Sequence, residues 1–111
     1  MDINNLDENK LFFSIGEVAK IFNVNTSLIR FWETEFKQIS PQKTKAGKRQ
    51  FTKKDLKNFQ LIYELVKVKG FTLQGAKDSL KQNKSYLLKQ LEIKARLKVV
   101  KRNLEGLLDQ E

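Results

Sequence analysis

The chain has 111 residues, 40% of them hydrophobic, and 22 basic residues against 13 acidic ones give a formal net charge of +9. That length suits one small domain with an appendage, and that charge favours a polyanionic partner. The absence of cysteine and histidine excludes disulfides, zinc fingers, thiol sensing and imidazole catalysis, and with no clustered carboxylates no metal, cofactor or catalytic site is expected.

Residues 1–10 are polar, with isolated apolar positions, and read as a disordered tail. They lack the basic and then apolar order of a signal peptide. The apolar runs elsewhere are too short to span a membrane. A cytoplasmic, nucleoid-associated protein is expected. Order begins at Leu11-Phe12-Phe13, with Phe13 set to staple onto the helix that follows.

Ser14-Ile15-Gly16-Glu17 has the form of a capping box. It opens a first helix ending near Phe22, whose apolar positions Ile15, Val18, Ala19 and Phe22 share one face. Asn23 and Val24 form a tight turn, in which Asn23 tolerates left-handed backbone. Asn25 is placed to cap a second helix with its side-chain oxygen. In that helix Leu28, Ile29 and Trp32 face inward, while Thr26, Ser27 and Arg30 point out near its N-terminal end. Ala19 is small where two helices must approach, and Ile29, ten residues later, fills the angle between them. These intervals describe a helix-turn-helix, whose second helix would enter a DNA groove. From this segment alone a plain helical hairpin fits equally well.

Pro41 cannot continue a helix. Two polar stretches, residues 41–45 and 48–51, flank Ala46-Gly47, and Gly47 can take the positive φ of a hairpin turn. A short two-stranded wing is expected rather than a solvated loop, because Arg49 and Phe51 alternate as strand residues do. Its tip carries Lys45, Lys48 and Arg49, with Lys43 nearby. The whole stretch of residues 37–54 holds basic residues and no acid. Most are lysines, which suits phosphate attraction more than base reading.

Thr52-Lys53-Lys54-Asp55 is a second capping box, with Asp in place of Glu. A third helix over residues 53–69 follows, with Leu56, Phe59, Ile62, Tyr63, Leu65 and Val66 as its apolar stripe. Gly70 fits the left-handed position that closes it. Thr72 caps a further helix through about Gln82, with Leu73, Ala76 and Leu80 inward. Gly75 either permits a close contact or weakens the turn. Residues 85–108 form a last helix reaching roughly 35 Å. Ile93, Leu97, Val100, Leu104 and Leu107 alternate by four and three as a coiled-coil seam. Leu87, Leu88 and Leu91 are out of that register. Pairing with a second chain is expected, with folding back onto the same domain as the alternative.

Taken together, these motifs resemble the MerR family of winged helix-turn-helix regulators. The matching residues are Ile15-Gly16-Glu17-Val18-Ala19, Val24, Ile29-Arg30-Phe31-Trp32-Glu33, then Pro41, Gly47, Arg49, Phe51-Thr52, Asp55-Leu56 and Gly70-Phe71-Thr72-Leu73. The resemblance implies a mainly α fold: a winged helix-turn-helix domain over residues 11–82 with a small β-hairpin wing, then a dimerisation helix over residues 83–111. It implies a homodimer joined by an antiparallel coiled coil. It also implies binding to double-stranded promoter DNA, bent and untwisted so that RNA polymerase can use both promoter elements.

Carried onto this chain, the resemblance matches Thr26, Ser27 and Arg30 to the reading part of the second helix. It matches Arg49 to the wing arginine, with Lys43, Lys45 and Lys48 in support. Phe31 and Trp32 match an aromatic pair that is often Tyr-Tyr and touches phosphate through its hydroxyls. Here Phe31 has no donor and Trp32 only its indole N–H, so a packing role for at least one of them is expected as much as the phosphate contact. The chain lacks the cysteines of family sensors and ends at Glu111, so a regulator without its own ligand-sensing domain is expected. Two other classes compete. One is a DNA-architectural or excisionase-like recombination accessory protein, against which the long seam argues. The other is an adaptor for an acidic protein, against which the basic wing argues.

Overall fold

The computed structural model describes residues 9–109, with the side chains of residues 99, 100 and 103–109 outside that description. Most of the expected tail, residues 1–8, lies outside it as well. Lys10, assigned to that tail, is tied in: its ammonium meets the Glu17 carboxylate and sits 5.4 Å from the centre of the Phe13 ring.

Helix α1 spans Ile15–Phe22 and opens with the expected capping box. Ser14 Oγ accepts from the Glu17 N–H, and the Ser14 N–H donates to the Glu17 carboxylate, both at 3.2 Å. The box satisfies two of the backbone donors that a helix start leaves open. The Lys10 ammonium foremost, with the Ser14 N–H, holds the Glu17 carboxyl below its ordinary value. Asn23 ends the helix at φ 53°, left-handed as expected. The Val24 N–H then donates to the Ala19 carbonyl at 3.0 Å.

Helix α2 spans Thr26–Glu35 and begins at Asn25. The expected side-chain cap is not made: the Asn25 side chain makes no capping bond, and its backbone carbonyl accepts from Leu28 N–H at 3.1 Å instead. Ile29 and Trp32 are buried, and Leu28 packs partly against them. After α2, Phe36 and Ile39 also enter the core. Two buried polar residues hold this loop. Asp55 accepts from Ser40 N–H at 3.2 Å, and Asn58 Nδ2 donates to the Gln38 carbonyl at 2.8 Å.

Strands β1 (Gln42–Lys43) and β2 (Arg49–Gln50) pair antiparallel, with Gln42 opposite Gln50 and Lys43 opposite Arg49. Gly47 turns the ribbon at φ 79°, its N–H donating to the Thr44 carbonyl at 2.9 Å. The ribbon's base is stitched to the segment before α1: Phe13 and Phe51 exchange both backbone hydrogen bonds at 2.8 Å. Both rings are buried, so Phe13 fastens the wing to the body as well as flanking α1.

Helix α3 spans Lys53–Tyr63 behind the Thr52–Asp55 capping box. It then widens into a π-helical turn over Glu64–Val68, a change that a 3.6-residue pattern does not announce. The Lys69 N–H donates to the Glu64 carbonyl at 2.9 Å, and Gly70 closes the segment at φ 73°. Leu56, Phe59, Leu61, Ile62 and Leu65 are buried, with Tyr63 and Val66 partly so. Phe59 stands against Phe22 and Phe51 at ring distances of 6.0 and 5.6 Å, joining α1, the wing base and α3 in one core.

Helix α4 spans Leu73–Asp109. Thr72 Oγ1 accepts from Gly75 N–H at 3.0 Å, and a Cβ on Gly75 would stand 3.1 Å from that hydroxyl. The close contact made by Gly75 is therefore with its own cap. The two helices expected here are present and run on from one another across a break at Asn83, whose φ of −128° and ψ of 23° are not helical. Beyond the break Leu87, Leu88 and Leu91 pack against the core, whereas Ile93 and Leu97 are 48% and 62% exposed. The register change thus falls where the helix leaves the body. Val100, Leu104 and Leu107 lie outside the described side chains. Among the described residues no helix is long and apolar enough to cross a membrane.

Candidate nucleic-acid interface

Helix α2 exposes one side and buries the other. Ser27, Arg30 and Phe31 stand at i, i+3 and i+4, so they share a face. Ser27 and Arg30 are exposed and Phe31 is 44% exposed, while Thr26 is half-buried. Trp32 does not belong to this face. It is 1% exposed and meets Tyr63 edge-on at 6.5 Å between ring centres. The aromatic pair is therefore split: α2 turns the Trp32 indole onto α3, the inward place its helical spacing gave it, so of the two roles expected for the pair Trp32 takes packing rather than DNA contact. Phe31 alone remains on the surface.

At the start of α2 a shallow depression of about 450 Å³ is lined by Val24, Asn25, Ser27, Leu28, Phe31 and Lys67. Lys67 comes from the π-helical turn. Sequence reading had no reason to select it, because its neighbourhood to α2 is created by packing. Its signal was only a lysine within Lys67-Val68-Lys69-Gly70.

Toward the end of α2 stands the hairpin. Lys43, Lys45 and Lys48 are exposed, Lys45 and Lys48 within or beside the turn. Thr44 Oγ1 accepts from Lys48 N–H at 3.2 Å, fixing the turn that carries them. Arg49 is not a free cation. Its Nε donates to Glu33 Oε2 at 2.7 Å, with side-chain exposures of 32% and 18%. Glu33 follows Arg30 by one helical turn, so the bond ties the hairpin to α2 beside Arg30. No signal in the sequence pairs residues sixteen apart across an intervening loop.

The candidate surface therefore runs from Lys67 and Ser27, past Arg30, to a hairpin with three exposed lysines. Such a strip is suited to a polyphosphate backbone, with α2 as the element that can enter a groove. On the other side of α3, a groove of about 700 Å³ separates it from α4, lined among others by Tyr63, Glu64, Leu88, Leu91, Lys94 and Leu97. Lys94 meets Glu64 across it.

Known proteins agree with this architecture. The family model described as MerR HTH family regulatory protein matches residues 13–83. The regulator protein TubY of a Clostridium botulinum C phage is 32% identical over 77 residues, covering 68% of this chain and 32% of that protein. The chain thus spans about a third of the length of this curated relative. Among solved structures, a MerR-family transcriptional regulator from Bacillus cereus superposes with a TM-score of 0.58 at 22% identity, over 88% of this chain and 75% of the other. The structure of HiNmlR, a MerR family regulator lacking the sensor domain, bound to promoter DNA, gives 0.55 at 22% identity, over 87% and 85%. These structures share the fold, and because the family match takes in α1, α2, the hairpin, α3 and the first part of α4, the chain belongs to the MerR family of helix-turn-helix regulatory proteins.

Proposed function

We propose that the protein is a sequence-specific transcriptional regulator that binds promoter DNA as a homodimer. The observation that carries this reading is the basic hairpin bonded to α2, the helix that exposes Ser27 and Arg30. Thr26, Ser27 and Arg30 would approach base edges, and Phe31 the sugar-phosphate edge or a thymine methyl. Lys43, Lys45, Lys48 and Arg49 would meet phosphates, with Lys67 as a further contact. Residues 11–82 would be the DNA-binding unit and residues 83–111 the dimerisation helix.

The homodimer is supported by Ile93 and Leu97, apolar and exposed on a helix leaving the body. An antiparallel coiled coil with a second copy would cover them, and Val100, Leu104 and Leu107 would continue the seam. Promoter action is supported by family membership and by the likeness to HiNmlR, described as bound to promoter DNA. In this reading the dimer distorts the duplex so that RNA polymerase can use it. HiNmlR is also described as lacking the sensor domain. A chain without cysteine or histidine fits that pattern, since it cannot sense through thiols or imidazoles.

The test is selection of bound sequences from random duplex DNA at near-physiological salt. Enrichment of an inverted repeat is the expected result, its spacing reporting the separation of two α2 helices. Binding without any enriched motif would instead favour the architectural or excisionase-like role, and absence of binding would overturn the DNA reading.

A further inference from the structure

We propose that Glu33 is a positioning residue for DNA recognition: its carboxylate holds the Arg49 guanidinium, and through it the hairpin, in a fixed setting beside α2. This rests on the DNA-binding reading given above.

The hairpin needs an external restraint. Its strands pair over two residues each, and a ribbon of that size is marginal by itself. Its lysines are exposed and supply no packing. The Phe13–Phe51 bridge anchors the base, beyond Arg49 in the chain. The Arg49–Glu33 bond adds a second point of attachment, now within the strand pairing and onto α2. Two points define an orientation where one defines only a place.

The atoms used favour positioning over simple neutralisation. Nε is the guanidinium donor nearest the stem, so a bond there orients the planar group while its terminal amino groups extend beyond. Those groups are the ones that a phosphate can take in a forked contact. A carboxylate in a phosphate-binding strip otherwise works against affinity, because it repels the backbone. Its half-buried place opposite Arg49 is accounted for by the geometry it imposes.

The experiment measures binding by fluorescence anisotropy to two probes, the duplex recovered by the selection above and a random-sequence duplex. Glu33→Ala is expected to weaken the recovered duplex about five- to ten-fold, the scale of one misplaced arginine contact. Its binding to the random duplex weakens by a smaller factor, because the loss of the phosphate contact is partly offset by removal of a negative charge. Glu33→Gln, whose amide oxygen still accepts from Nε, restores most of the affinity for the recovered duplex. Arg49→Lys keeps the charge but not the Nε donor, and is expected to lose as much as Glu33→Ala. If Glu33→Ala does not fold, Glu33→Asp, whose shorter stem does not reach Nε, takes its place with the same expected loss and the same overturning result. Alanine and glutamine variants that both bind both probes at least as tightly as wild type would make Glu33 a mere counter-charge and overturn the proposal. Wild-type affinity in Arg49→Lys would overturn it too. A wild-type chain that recovers no duplex removes the DNA reading and this proposal together, whereas unaffected variants of a binding protein remove this proposal alone.

Discussion

Phe31 and Trp32 are adjacent in the chain and opposite in role. Trp32 is fully buried against Tyr63, and Phe31 is nearly half exposed at the edge of a depression. Trp32→Ala would leave a large cavity where α2 meets α3, and such truncations cost about 3–5 kcal/mol. Chemical denaturation should therefore show a strongly lowered midpoint for Trp32→Ala, and nearly wild-type stability for Phe31→Ala. A second residue-scale expectation concerns acid. The folded-state value of Glu17 is lowered from 4.5, mainly by Lys10 and then by Ser14. Its contribution to stability is present in full above 4.5 and is lost as pH falls through the lowered folded value. Thermal melting followed from neutral pH into acid should fall there, and Glu17→Gln should flatten part of that fall. Identical pH profiles for the two proteins would take Glu17 out of the account.

At the scale of elements, the turn of the hairpin stands in solvent, with residues 45–48 all exposed. Gly47 turns it at φ 79° with open space around the missing Cβ. Gly47→Ala therefore meets backbone strain without a clash, on the order of 1 kcal/mol. The expected outcome is a melting temperature close to wild type with weaker DNA binding, measured on the same preparation. Elements were also where the sequence was most legible. Ser14 with Glu17, Thr52 with Asp55, Asn23 and Gly70 each announced a helix boundary, because caps and left-handed positions depend on chemistry within a few residues. Asn25 was misjudged on the same logic, since a suitable side chain at an N-cap can still turn away. The π-helical turn was not legible: Leu61, Leu65 and Val66 fit a regular helix about as well. The Arg49–Glu33 pair and the approach of Lys67 to α2 depend on tertiary packing, which no local pattern encodes. The candidate site was thus readable as a set of basic residues, and unreadable in who holds whom.

For the molecule as a whole, α4 divides its apolar residues between two tasks. Leu87, Leu88 and Leu91 complete the core behind α3, while Ile93 and Leu97 remain exposed on the segment beyond. The break in heptad register was visible in the sequence, and packing on the body explains it. Leu97→Asp is expected to yield a folded monomer, because the charge enters the proposed seam without touching the core. Sedimentation velocity checks this: an intact dimer in the variant would remove Leu97 from the seam, and a wild-type monomer would remove the seam.

The wide turn at Glu64–Val68 carries one more residue than a regular turn would. Each residue of an α-helix advances the chain by about 100° around its axis. The number of residues between Tyr63 and Gly70 therefore works as an angular gauge for everything downstream. Dropping one would rotate Gly70, the Thr72 cap and the departure of α4 through about that angle. Relatives differing by one residue in this stretch could keep the same α2 and hairpin and still aim their projecting helices along different bearings. A paired molecule would then present its two identical faces to a duplex with a different pitch between them, so that a change in spacer preference could arise with no change in any residue that meets DNA.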